Sequence, residues 1–250
     1  MLPLSHTYVS TKVTGQNSPL LILGSILPDI ATTSSQQIGR DKIHNSPKEV
    51  YEFISKNYPQ LLDLGLGVRL HSQVDGGADF YSDDTHLGYA KLEGEKISSD
   101  VADLLGIPKG DASLVLAHNF IEMAVDLHLY QNDRSVWNVY KDAIDKVSAD
   151  FPIVARCLGE YLGLDQNIIF AELNNLINFL NPQCIISKEI AAEKIALPLI
   201  KLRFRKEVSF PKTIEILNKA VDITRPSYQQ FLGNAIIEVK KNIFSKIQVS

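Results

Sequence analysis

Between positions 111 and 130, Leu114, Ala117, Ile121, Ala124, Val125 and Leu129 recur at intervals of three and four. A strand, whose side chains alternate between faces, cannot gather such a set on one side, whereas one face of an α-helix can. The same spacing returns along most of the chain, and alternation of strand length is scarce. The chain therefore reads as all-α. A helix is expected from Ser46-Pro47-Lys48-Glu49, with Ser46 as cap, Pro47 in the first turn, Glu49 reaching back, and Val50, Phe53 and Ile54 on its inner side. A second should cover 59–74 and stop at Gly76-Gly77, and a third 111–130, capped by Asp111. Further helices are expected near 137–147, 154–162, 168–179, 190–204 and 213–246, the last broken by Pro226. With 250 residues, 45% hydrophobic, and no repeat or low-complexity linker, one all-helical domain is the simplest organisation. Its chemistry would lie in 1–130, with 131–250 as packing helices or a lid.

Composition narrows the function classes. A net charge of −4 argues against a polyanion binder held by a broad basic face, so no stable nucleic-acid complex is expected. No apolar run reaches the length of a membrane span. The opening MLPLSHTYVSTKV lacks the pattern of a signal peptide, which leads to an expectation of cytoplasmic location. Cys157 and Cys184 form neither a disulfide framework nor a metal knuckle.

Five of the six histidines fall in a series with carboxylates: His6, Asp29, His44, His71 with Asp75, His86, and His118 with Glu122. On a helix, positions i and i+4 share a face, so an imidazole and a carboxylate so spaced can meet one divalent ion. His71-x-x-x-Asp75 and His118-x-x-x-Glu122 both sit in apolar surroundings, where an unpaired charge is costly and a shared cation would relieve the cost. An N/O donor set without thiolate favours Zn²⁺, with Mn²⁺ or Fe²⁺ as alternatives.

The order His, Asp, His, His-x-x-x-Asp, His, His-x-x-x-Glu over residues 1–130 resembles that of the zinc-dependent phospholipase C and S1/P1 nuclease family. The resemblance implies a multi-helix bundle of that family's kind and a cluster of two or three zinc ions. It implies one zinc on Asp29, His44, His71 and Asp75, a second on His86, His118 and Glu122, and a third on His6 with Asp75 as a bridge. The chain departs from the family in lacking an N-terminal Trp and in its longer gap from Asp75 to His86, where Asp79, Asp83 or Asp84 could take the place of His86. The implied reaction is attack of metal-activated water on a phosphodiester, phospholipid or nucleotide, with Asp29 as base. The rival reading is a helical scaffold with a degenerate metal site. Other polar residues receive plainer readings: Asp126 beside a ligand or on solvated surface, His128 not a ligand, Arg69 pointing away, and the basic run 201–206 as the charged side of a helix. Phe80, Tyr81 and Tyr89 are assigned either to a substrate pocket or to core.

Overall fold

A computed structural model describes residues 1–33, 38–84, 86 and 88–247, and among these it contains helices and no strand. No helix among them is long and apolar enough to cross a membrane. Buried apolar side chains from Met1 to Ile243 form one continuous core.

At the centre lies the helix Asp111–Asn132. Every residue from Leu116 to Leu129 is buried, so it is covered on all sides rather than amphipathic. Its cap is Gly110, with the Ser113 hydroxyl closing back on the Gly110 backbone (3.0 Å to the amide); the expected cap, Asp111, is the first helical residue. Because the helix is enclosed, each polar side chain it carries must find a partner inside the protein.

The first of these partners is the N-terminal helix, Pro3–Thr14. Its opening amides have no intrahelical acceptor, and Asp126 supplies one: Leu4 and Ser5 each donate a backbone N–H to its carboxylate at 2.8 Å, and the Ser5 hydroxyl donates as well. At its other end the helix terminates at Gly15, in the left-handed region.

The most extensive helix crossing among the described residues joins Pro19–Ile26 to Leu62–His71. A methyl group on Gly24 would lie 2.1 Å from the Leu64 carbonyl oxygen, and one on Gly67 would lie 2.3 Å from that of Leu21. Only glycine at both positions allows the two backbones to approach so closely.

The helix expected over 59–74 ends early. A 3₁₀ turn, Pro59–Leu61, leads into Leu62–His71, and Ser72 then turns extended. The Ser72 hydroxyl accepts the amides of Val74 and Asp75, a local turn that competes with helix continuation. Gly76 takes a positive φ of 75° and Gly77 crosses against the end of the helix just left, where a methyl group would lie 2.5 Å from the Leu70 carbonyl oxygen. The chain thereby doubles back into the helix Ala78–Asp83.

The helix Pro47–Asn57 forms where expected, but without a side-chain cap; the Ser46 hydroxyl donates instead to the Asp41 carbonyl at 2.8 Å. The C-terminal half follows the expected series: Arg134–Val147, Phe151–Leu162, Gln166–Phe179, Phe210–Thr224 and Tyr228–Ile247, with the last two separated at Pro226. The stretch expected at 190–204 is interrupted by a π turn, Ala192–Ala196, before Leu197–Phe204. His128 ties this half to the central helix: its Nε2 meets the Val221 carbonyl at 3.0 Å and its ring stacks on Tyr228.

Candidate metal centre

Two groups of ligand-type side chains converge beside the central helix. In the first, His6, His71 and Asp79 bring nitrogen and oxygen atoms within 4.8 Å of one another; in the second, Asp83, His118 and Glu122 do the same.

The first group is built from three segments. The glycine crossing sets the Ser25 carbonyl 2.9 Å from His71 Nδ1. A carbonyl only accepts, so Nδ1 carries hydrogen and Nε2 is the atom turned inward, an arrangement that fixes the tautomer of metal-binding histidines. His71 Nε2 lies 3.0 Å from Asp79 Oδ2, and His6 Nε2 lies 3.2 Å from Asp79 Oδ1. Neither contact has hydrogen-bond alignment: both ring nitrogens of His6 and the Nε2 of His71 are buried without a hydrogen-bond partner among the described residues. The two rings stack with centroids 4.1 Å apart.

The second group descends from the central helix and from Ala78–Asp83. The Ser82 hydroxyl donates to Glu122 Oε1 at 2.8 Å, and the Asn119 amide lies 3.1 Å from His118 Nε2 and 3.3 Å from Glu122 Oε2. His118 Nε2 is 3.8 Å from Asp83 Oδ2. Between the groups, the Met1 α-amine contacts Asp79 at 2.7 Å and Glu122 at 2.8 Å.

Protonation follows burial and neighbours. Burial, aided by His71, lowers the His6 pKa to about 4; burial likewise lowers that of His118 to about 4 against the pull of Asp83. Both are neutral at pH 7, the form that can donate a lone pair. For His71, burial is outweighed by Asp79 and its pKa is raised. Burial and the Asp83 charge push Glu122 up to about 8. Asp83 goes the other way, to about 2: burial raises it, but the amine, His118 and a hydrogen bond from Glu122 together outweigh that. Asp126, buried against the N-terminal helix, rises to about 6.

The remaining expected ligands fall as follows. Asp29 lines the cavity described below but joins neither group. His44 stands next to the first group, 3.2 Å from Asp79 Oδ2, and its Nε2 accepts from Arg40 Nη2 at 2.7 Å. Asp75 lies outside both groups, because the helix ends at His71 and the i, i+4 relation is lost; its carboxylate is paired with the buried Arg69 guanidinium at 2.8 Å. That pairing also corrects the reading of Arg69 as an outward residue. His86 is exposed in a turn and belongs to neither group. Of the three alternatives to it, Asp83 takes its place beside His118 and Glu122, while Asp79 joins the first group, where Asp75 was expected. Asp126 is buried and serves the N-terminal helix. Tyr81 and Tyr89 line a separate shallow cleft with Phe231.

A cavity of about 530 Å³ opens over the centre. Its polar floor includes Asp29, Asp79, Asp83, His118 and Glu122, and its apolar wall is largely C-terminal: Phe179, Leu180, Ile195, Leu199 and Leu202. The Tyr140 hydroxyl fastens that wall by donating to the Leu180 carbonyl at 2.6 Å. Sequence reasoning did not find Asp79's neighbour contacts, Asn119 or this wall; the only available signal was the return turn at Gly76-Gly77.

No family model, curated protein or solved structure matches the chain.

Proposed function

We propose that this chain is a metal-dependent phosphodiester hydrolase of the kind its ligand order resembles, with one divalent ion held by His6, His71 and Asp79 and another by Asp83, His118 and Glu122. Zinc is the ion that nitrogen and oxygen donors of this kind suit best. The single observation that carries the reading is the pair of buried Nε2 atoms of His6 and His71, without hydrogen-bond partners among the described residues and both turned towards Asp79. Buried polar atoms are rarely left unsatisfied, and one cation would satisfy both of these Nε2 atoms together. Two ions rather than three follow from the Asp75–Arg69 pair, which removes the bridge that a third would use.

Bound ions would acidify a water molecule and draw charge from the phosphoryl oxygens. The chain's own residues do the rest. Ser25 holds His71 in one tautomer, and Asn119 and Ser82 orient Glu122. Asp29, on the cavity floor, is the proposed base that takes the proton of the attacking water. The apolar wall receives the uncharged part of the substrate, the acyl chains of a phospholipid or the base of a nucleotide.

The scaffold reading keeps one observation in its favour: the Met1 amine supplies positive charge between Asp79 and Glu122 without any ion. Elemental analysis of protein purified without added metal separates the two. About two zinc per chain, together with hydrolysis of bis-p-nitrophenyl phosphate that disappears in His118→Ala, is expected; metal-free protein lacking that activity even after zinc addition would leave the scaffold.

A further inference from the structure

The cavity carries cations that the metal ligands do not explain. Arg40, Lys91 and Arg203 line it, and none of the three forms an ion pair with a carboxylate among the described residues. Arg40 is engaged by His44. The other two flank His118. Lys91 lies on the helix Tyr89–Gly94, which comes so close to the central helix that a methyl group on Gly94 would be 3.1 Å from the His118 amide nitrogen. Its Nζ is 3.4 Å from His118 Nδ1. Arg203 approaches from Leu197–Phe204, and its Nη1 donates to Asn119 Oδ1 at 3.2 Å, one residue from His118.

Arg203 belongs to the basic run 201–206, in which both lysines are otherwise engaged. Lys201 pairs with Glu207, and Lys206 donates to the Leu105 carbonyl. Of the basic residues in the run Arg203 alone lines the cavity, exposed and without a carboxylate partner among the described residues.

Charge bookkeeping gives the pair its meaning. Four carboxyl groups line the cavity (Asp29, Asp79, Asp83 and Glu122, the last with its pKa pushed up to about 8), and against four cationic groups, Arg40, Lys91, Arg203 and the Met1 amine, they leave no excess of negative charge. With divalent ions in the two ligand groups the cavity becomes strongly positive, and the single charge of a phosphodiester does not balance it. We infer that Lys91 and Arg203 form a recognition site for a second anionic group, a phosphate or carboxylate, on the same ligand whose phosphoryl group faces the metal centre. The substrate class is then a phosphodiester bearing another negative charge next to an apolar portion. A guanidinium and an ammonium presented from two helices suit such a group, since Arg offers a planar fork and Lys a point charge. This inference rests on the function proposed above.

Two ligands without a hydrolysable ester test it: dibutylphosphinate and butyl(3-carboxypropyl)phosphinate, titrated by calorimetry into the zinc-loaded full chain. The carboxylate arm should tighten binding about tenfold or more at low salt. In Arg203→Gln and in Lys91→Gln that advantage should fall below about threefold with zinc content unchanged, and Arg203→Lys should recover part of it. Equal affinities in the unmodified protein, or an advantage that survives in both variants, would overturn the inference while leaving the hydrolase reading intact. A chain that binds no zinc overturns both.

Discussion

The two ligand groups share one neighbourhood but differ in how they are enclosed. His6 and His71 are sealed away from the cavity, and of their group only Asp79 reaches it; Asp83, His118 and Glu122 all line it. The inner group is assembled from three helices whose spacing is set by glycine contacts and by Asp126, whereas the outer one hangs on two turns of a single helix and a half-buried Asp83. The inner group is the structural anchor. The outer group is the one open to the cavity, where the proposed substrate would lie. In a cluster built this way, ligand identity alone does not divide the labour; access does.

The largest effect that would test this division is loss of the inner carboxylate. Asp79→Ala takes from His71 the carboxylate that raises its pKa and from the Met1 amine one of its two closest carboxyl partners, and removing one partner from a buried charged cluster costs about 3–5 kcal/mol; Asp83→Ala, at a half-buried site, should cost about 1 kcal/mol. Urea denaturation in the presence of EDTA reads both, and equal losses would erase the distinction. Next comes Gly67→Ala. The added methyl must displace the Leu21 carbonyl, a cost of about 1–3 kcal/mol by overpacking. As it shifts Ser25 away from His71, the inner ion should be lost before the outer one in equilibrium dialysis. Glu122→Gln should do the reverse, reducing zinc from about two to about one per chain with little change in stability.

The smallest effect is a pH dependence. His6 and His118 have folded pKa values of about 4 against an ordinary 6.5. A group lowered on folding stabilises the protein above the unfolded value, and that stability is lost as pH falls from about 6.5 towards 4. Asp126 and Glu122 are raised to about 6 and about 8, so their contribution has the opposite sense: it is full at low pH and declines as pH rises through those values. The two senses oppose each other between pH 6.5 and 4, and His118→Gln should shift the balance in the ion-free protein, leaving it to lose less stability over that window than the unmodified chain. A variant with an unchanged slope would show that His118 is not held neutral by burial.

Helices were legible in the sequence because apolar spacing is local information, and the buried central helix was legible for the same reason: Leu114, Ile121 and Leu129 mark it without reference to anything distant. His118 with Glu122 came out as a pair because both lie within one unbroken helix. Asp75 did not join His71 because the periodic pattern over 59–74 gives no hint that Ser72 captures two amides and stops the helix. What replaced it depended on Gly76-Gly77, a pair that reads equally well as a helix stop and as a reversal; only tertiary packing against Leu70 selects the reversal that returns Asp79. The apolar wall was illegible for a different reason. Phe179, Ile195 and Leu199 look like any core residues, and nothing in their spacing tells that one face of each meets a void.

The Gly24–Gly67 crossing has a consequence for how a cation would be taken up. Backbone pressed on backbone leaves no rotamer to adjust, so the His71 imidazole is aimed by the main chain itself and keeps its bearing in the empty protein. An arriving ion would meet a socket already cut to shape, and little of its binding energy would be spent on ordering the walls.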